Sequence, residues 1–161
     1  MLKELLNLLE KNARYTTRDL AMLLDEDERD VDKAITQAEK DNIIAGYHTV
    51  INWDKTDSDI VKALITVNCR PERDTGYDRI AETIARYPEV DSLYLTSGKA
   101  EFLLRVSGRT MREVSNFVAH KLAPIDGVTG TETMFILKEY KASGILLNDD
   151  GEDGERLLVT P

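Results

Sequence analysis

The chain has 161 residues, 42% of them hydrophobic, and its 21 Lys and Arg stand against 30 Asp and Glu for a formal net charge of −9. That length suits one domain or two small ones, and the acid excess excludes a generic, charge-driven nucleic-acid binder, so any DNA contact needs a locally basic face. Lys3 and Glu4 interrupt the first apolar stretch, no run is long enough to span a bilayer, and the single cysteine cannot form an internal disulfide; the expectation is a cytoplasmic protein with no membrane partner.

In LKELLNLLEKNA, residues Leu2, Leu5, Leu6, Leu8 and Leu9 recur at helical spacing and predict a short amphipathic helix ending at Asn12. In YTTRDLAMLLD, Thr16 or Thr17 is placed to cap a second helix, Asp19 lies in its first turn, and Leu20, Ala21, Leu23 and Leu24 form the inward face. A third helix is expected to begin near Asp27, to carry Val31, Ile35 and Ala38 on one stripe, and to end at Asn42, a residue type that tolerates a left-handed backbone. IIAGYHTVIN then reads as two short apolar runs around Gly46 and Tyr47, a small β-wing. Residues 1–52 are therefore expected to form a winged helix-turn-helix unit, although a three-helix domain by itself fits many purposes.

WDKTDSD is polar and poor in strand formers, and it marks residues 53–60 as a linker. Beyond it IVKALITVNC alternates as a strand, GYDRIAETIARY places Ile80, Ile84 and Tyr87 at helical spacing, and VDSLYLTSGKAEFLLRVSG reads as two strands about a Gly-Lys turn. TMREVSNFVAHKL is a helix capped by Thr110 with Val114, Phe117, Val118 and Leu122 inward, and VTGTETMFILKEYK is a final strand. The order βαββαβ over residues 61–143 predicts an α+β chain whose second domain is ferredoxin-like. Residues 144–161 form an acidic tail, in which Arg156 to Val159 are apolar enough to return as an added strand, a disordered end being the alternative.

Catalytic chemistry finds little support. Cys69 lies in an alternating run and reads as a packed strand thiol, and neither His48 nor His120 has a second His, Cys or carboxylate at the spacing a metal or nucleophilic site needs. The expectation is a protein that is not an enzyme and has no catalytic residue, metal or cofactor. Binding is better served. In the hairpin SGKAE, backbone N–H groups around Gly98, with Lys99 and Ala100 following, can hold a carboxylate, because glycine permits close approach and an unusual backbone angle. Arg14 and Arg18, near the start of the second helix, suit phosphate contacts, while Arg29, Asp30 and Lys33 project from the third helix as base readers or as a solvated face.

Across residues 2 to about 143 the order and spacing of these segments resemble the Lrp/AsnC family of feast/famine transcription regulators. DLAMLLDEDERDVDKAITQAEKDNIIAGY lies without gaps on the family's second helix, turn, recognition helix and GY exit; LTSGKAEFLLRV resembles its hairpin and GVTGTETMFILKEYK its closing strand. The resemblance implies a ligand-responsive, sequence-specific DNA-binding regulator. Its ferredoxin-like (RAM, ACT-like) domain would bind an effector such as an amino acid, dimerise through its sheets and assemble further into an octamer. The family's site acid falls on Glu101, positioned for an effector ammonium or else a rim carboxylate, and Leu95, Met111, Met134, Phe135 and Ile136 would be apolar walls or simply core.

Two positions depart from the pattern: the recognition helix of the family starts on Ser or Thr and carries an Arg in its middle, where this chain has Asp27 and Ala34. Asp27 has a structural use as a helix N-cap. From Asp27 to Asp41, six acids against three bases leave −3, and over residues 1–52 eleven against seven leave −4. Such a balance repels phosphate, so DNA binding is expected to be weak. The alternative is a sensing oligomer that has lost direct DNA binding and acts by mixed assembly with a basic paralogue.

Overall fold

In the computed structural model, which describes residues 1–71 and 76–147, the first unit, Met1–Ile51, is built from three helices. Helix α1 (Leu2–Lys11) ends at Asn12, whose extended backbone stops the spiral. Helix α2 (Thr17–Leu24) opens with a reciprocal cap: Thr16 Oγ1 accepts the Asp19 N–H at 3.1 Å, and the Asp19 carboxylate accepts the Thr16 N–H at 3.0 Å. Asp25 turns left-handed to end it, and Asp27 caps α3 (Glu28–Lys40) by accepting the Arg29 N–H at 2.8 Å. Leu5, Leu9, Leu20, Ala21 and Val31 are buried at the centre; full burial of a side chain the size of Leu contributes about 1.5–3 kcal/mol.

The expected β-wing is not present as paired strands. Asn42 takes the left-handed conformation (φ 54°), its N–H bonds the Glu39 carbonyl, and the N–H groups of Ile43 and Ile44 both turn back to the Ala38 carbonyl. This closure satisfies the end of α3, but it commits the first apolar run to the helix, so that run has no amides left for a ladder. Residues 45–52 have no regular secondary structure.

The second unit begins at Asn52. A short 3-10 turn, Trp53–Lys55, precedes β1 (Val61–Cys69), α4 (Asp78–Ala85), β2 (Val90–Leu95), β3 (Phe102–Gly108), α5 (Met111–Phe117) and β4 (Val128–Phe135). The strands form one antiparallel sheet in the order β2-β3-β1-β4, the ferredoxin-like arrangement. Period-two alternation decides the faces: Ala63, Ile65, Val67 and Cys69 of β1 and Phe102, Leu104 and Val106 of β3 are buried with Ile80 and Ile84 of α4 and Val114 and Phe117 of α5. Helix α5 runs on as a π-helical turn, Val118–Leu122, which delivers Leu122 into the core. At Gly127 the backbone is left-handed (φ +91°), which favours glycine, and a Cβ there would lie 2.9 Å from Ile80 Cδ1, so the end of that side chain would have to shift.

The expected final strand is divided. After β4 the chain forms a small hairpin, β5 (Lys141–Ala142) with β6 (Ile145–Leu146), turned by Ser143 and Gly144, both at positive φ. Leu147 is buried, and its carbonyl accepts the side-chain amide of Asn52. The acidic stretch from Asn148 onward, including Arg156 to Val159, lies outside the described residues.

Candidate DNA-reading and effector sites

The charges of α3 are sorted by direction. Val31 and Ala38 are buried, and Ala34 and Ile35 are half-buried against the helical core, which defines the inward side. At about 100° per residue, Arg29, Lys33, Thr36 and Lys40 fall within about 60° of one another on the opposite side, and all four are exposed. Glu28, Asp32 and Glu39 group about 90° round on one flank, and Asp30 lies on the other.

Most of the acids have local work. Asp27 is the N-cap; Asp30 pairs with Lys33 at 3.1 Å; Asp41 accepts the Gln37 side-chain amide at 2.9 Å; and Glu39 accepts the Tyr47 hydroxyl at 2.9 Å. Burial, then the hydrogen bond to Glu39, holds the Tyr47 phenol above its ordinary pKa. A net of −3 along the helix therefore coexists with a cationic outer stripe.

Ala34, expected among the DNA-contacting positions, does not lie on this stripe. It packs toward the core rather than on the stripe, and an Arg there would have to leave the core side to reach a groove. Lys40 and the uncharged Thr36 join Arg29 and Lys33 only when residues are placed around the helix, which a count of charges along the chain does not show. Arg14 and Arg18 are exposed at the start of α2, the former with its N–H bonded to Asn12 Oδ1 at 3.0 Å.

The hairpin between β2 and β3 is closed by its own groups. Thr96 N–H bonds the Glu101 carbonyl at 2.8 Å, and Thr96 Oγ1 donates to the Ala100 carbonyl at 2.6 Å. Glu101 reaches across to β1, where its carboxylate accepts the Cys69 N–H at 2.9 Å just past the last backbone pair, Val67 with Phe102. It thereby supplies one further rung to the ladder. Burial, then the charge of Glu101, pushes the Cys69 thiol above its ordinary pKa, which disfavours the thiolate. Gly98 has no positive φ, and a Cβ there would meet only Thr96 Oγ1, at 3.7 Å. Its amides are exposed, but no unusual backbone angle is used.

The expected apolar walls do not meet the hairpin within one chain. Leu95 is exposed beside it, whereas Phe135 pairs with Ala63, six positions before Cys69 on β1, about 20 Å away by strand rise. Met111 begins α5, after β3 has run to the same far end. Met134 and Phe135 also point to opposite faces, Met134 opposite Leu64 on the open face and Phe135 packed on the core. Among the described residues, no group of His, Cys, Asp and Glu is placed to hold a metal ion, and no helix is long and apolar enough to cross a membrane.

A helix-turn-helix unit with a cationic outer stripe, joined to a ferredoxin-like unit with a helix-free sheet face, is the build of a two-domain transcriptional regulator. Residues 62–146 match the Lrp/AsnC ligand binding domain. The uncharacterized HTH-type transcriptional regulator YugG of Bacillus subtilis is 36% identical over 159 residues, covering 98% of this chain and 95% of that protein. The HTH-type transcriptional regulator LrpA of Pyrococcus abyssi is 30% identical over 139 residues, 86% of this chain and 96% of that one. Among solved structures, a transcriptional regulator of Neisseria meningitidis in complex with L-Met superposes with TM-score 0.67 at 26% identity, covering 89% of this chain and 93% of that chain. The chain belongs to the Lrp/AsnC family of HTH-type transcriptional regulators.

Proposed function

We propose that this regulator reads DNA directly, through the outer stripe of α3, as a homo-oligomer whose affinity responds to an amino acid. The observation that carries the reading is the segregation of charge: Arg29, Lys33, Thr36 and Lys40 share the face turned away from the core, and the acids occupy the flanks. Arg and Lys on such a face suit guanine edges and phosphates, and Arg14 and Arg18 add backbone contacts. The N. meningitidis relative holds L-Met, which supports an amino-acid effector here. A ligand carboxylate would rest on the amides around Gly98 with Lys99 and Ala100, and its ammonium on Glu101. Because Leu95 and Glu101 lie at one end of the sheet and Met111, Met134 and Ile136 at the other, a site using both sets takes one from each of two copies, and pairing also covers the open sheet face. We place this work in the cytoplasm, where DNA and amino acids meet.

The net −3 of α3 favours a second reading, in which a sensing oligomer leaves DNA contact to a basic paralogue. Selection of bound duplexes from a random library at low salt, with and without L-methionine, separates them. Direct reading gives enriched half-sites related by a two-fold axis and spaced by about one helical turn or a multiple of it. No enrichment by the purified chain, with enrichment restored only by an added paralogue, refutes direct reading.

A further inference from the structure

The β5–β6 hairpin adds little to the core of the second unit, yet it is tied down on both sides. Its strands have two residues each, and a hairpin of that size is not stable by itself. The large apolar side chains of this stretch face outward: Leu137, Tyr140, Ile145 and Leu146 are all exposed. What holds it is therefore a small set of local bonds. Ahead of it, the Ile136 N–H bonds the Lys62 carbonyl at 2.9 Å and extends the pairing of β4 with β1. The Glu139 carboxylate then reaches Lys62 Nζ at 2.6 Å, each side chain only 21% exposed, and its other oxygen lies 4.0 Å from Arg105 Nη1.

Behind it, the Leu147 N–H returns to the Tyr140 carbonyl at 3.0 Å, its side chain is buried, and its carbonyl accepts the side-chain amide of half-buried Asn52. That last partner is the first residue of the second unit; the helical unit ends one peptide bond earlier, at Ile51. While the amide is held, the chain leaving the helical unit is fixed at once. When it is released, residues 52–60, whose regular structure is the turn Trp53–Lys55, are left as a tether. A flexible chain of that length spans about 15–18 Å, close to half of the roughly 34 Å repeat of the duplex. A hydrogen bond and one half-buried ion pair can open locally while the sheet stays folded.

We propose that the C-terminal hairpin is a clasp on the linker, in which Asn52 and Glu139 are positioning residues that keep the tether short and so fix the spacing of the half-sites a paired regulator accepts. Closed, the clasp admits one spacing. Open, it adds slack to each copy, and half-sites moved apart by part of a turn are bound as well. The spacing role rests on the direct reading of DNA proposed above.

Two near-isosteric variants of the full chain test it. Asn52→Asp keeps the shape and cannot donate to the Leu147 carbonyl, and Glu139→Gln keeps the shape and removes the charge paired with Lys62. Glu132→Gln, an exposed position on β4, makes the same charge change outside the clasp. Limited trypsin digestion reads cleavage after the exposed Lys55 from the masses of the two fragments, and selection from a duplex library with variable half-site spacing reads the tether; thermal melts accompany both. The expected result is unchanged melting, cleavage about fivefold faster or more in each clasp variant, the worth of one hydrogen bond, and enrichment at several spacings where the wild type and Glu132→Gln enrich one. The clasp is overturned if cleavage is not accelerated, if it is accelerated while a single spacing persists, or if the wild type itself accepts several spacings. A wild type that enriches no duplex overturns direct reading, and the spacing role with it.

Discussion

Replacing Arg29, Lys33 and Lys40 together by Gln tests the stripe most directly, because Gln keeps length and helix propensity while removing charge. Each phosphate contact contributes about 0.9 to the slope of log affinity against log salt, so the loss of three per chain flattens it by up to about 2.7, and by about 5 for a two-fold pair. Over a fourfold rise in salt, each contact corresponds to about a 3.5-fold change in affinity. Lys33 gives less than a full share, since Asp30 already holds it at 3.1 Å in an exposed pair worth no more than about 1 kcal/mol. Fluorescence anisotropy of a labelled duplex between about 50 and about 200 mM salt reads the slope. The melting temperature should hold, as these side chains are exposed. A slope untouched by this change but flattened by neutralising Lys3, Lys11, Arg14 and Arg18 would show that the reasoning chose the wrong face.

Thr16→Ala removes the hydroxyl half of the α2 cap and leaves the backbone N–H at position 16 for the Asp19 carboxylate, and should cost about 1 kcal/mol in urea unfolding. The same cap holds the Asp19 carboxyl below its ordinary value of 3.8, chiefly through the Thr16 hydroxyl; a depressed carboxyl stabilises the fold above its unfolded pKa, so the advantage over Asp19→Ala should be full at neutral pH and shrink as pH falls below 3.8. Gly127→Ala combines a positive φ with a 2.9 Å approach to Ile80 and should destabilise by about 1–3 kcal/mol, whereas Gly98→Ala should be close to neutral, both by thermal melts. Glu101→Gln keeps an oxygen for the Cys69 N–H, so stability should hold, while L-methionine binding measured by calorimetry should weaken about tenfold or more if the hairpin is its site.

Local chemistry made the helix ends readable: Thr16, Asp27 and Asn42 each stand where a backbone group needs a partner or a left-handed turn, and each is used there. Period-two alternation likewise made β1 and β3 readable. The wing was not readable, because Ile43 and Ile44 serve a strand and a helix closure equally well by type, and only the pull of the Ala38 carbonyl decides between them. The stripe was obscured for another reason. A tally from Asp27 to Asp41 treats a cylinder as a line, and helical spacing applied to Arg29, Lys33, Thr36 and Lys40 exposes what the tally hides. The effector walls depended on strand order: Met134 and Phe135 are neighbours in sequence but lie on opposite faces, and β4 and β2 occupy opposite edges of the sheet.

The strand reached first from the linker is β1, and it is a central strand, held by β3 on one side and β4 on the other. Force applied along the linker therefore enters the sheet at its most heavily bonded member. A pull directed along β1 loads the rungs from Val61–Gly108 to Val67–Phe102 in shear, all together, along with those to β4. An edge strand such as β2 could instead be peeled one rung at a time. A pull along the linker would therefore meet its stiffest resistance at the sheet, after residues 53–60, whose regular structure is one 3-10 turn, Trp53–Lys55.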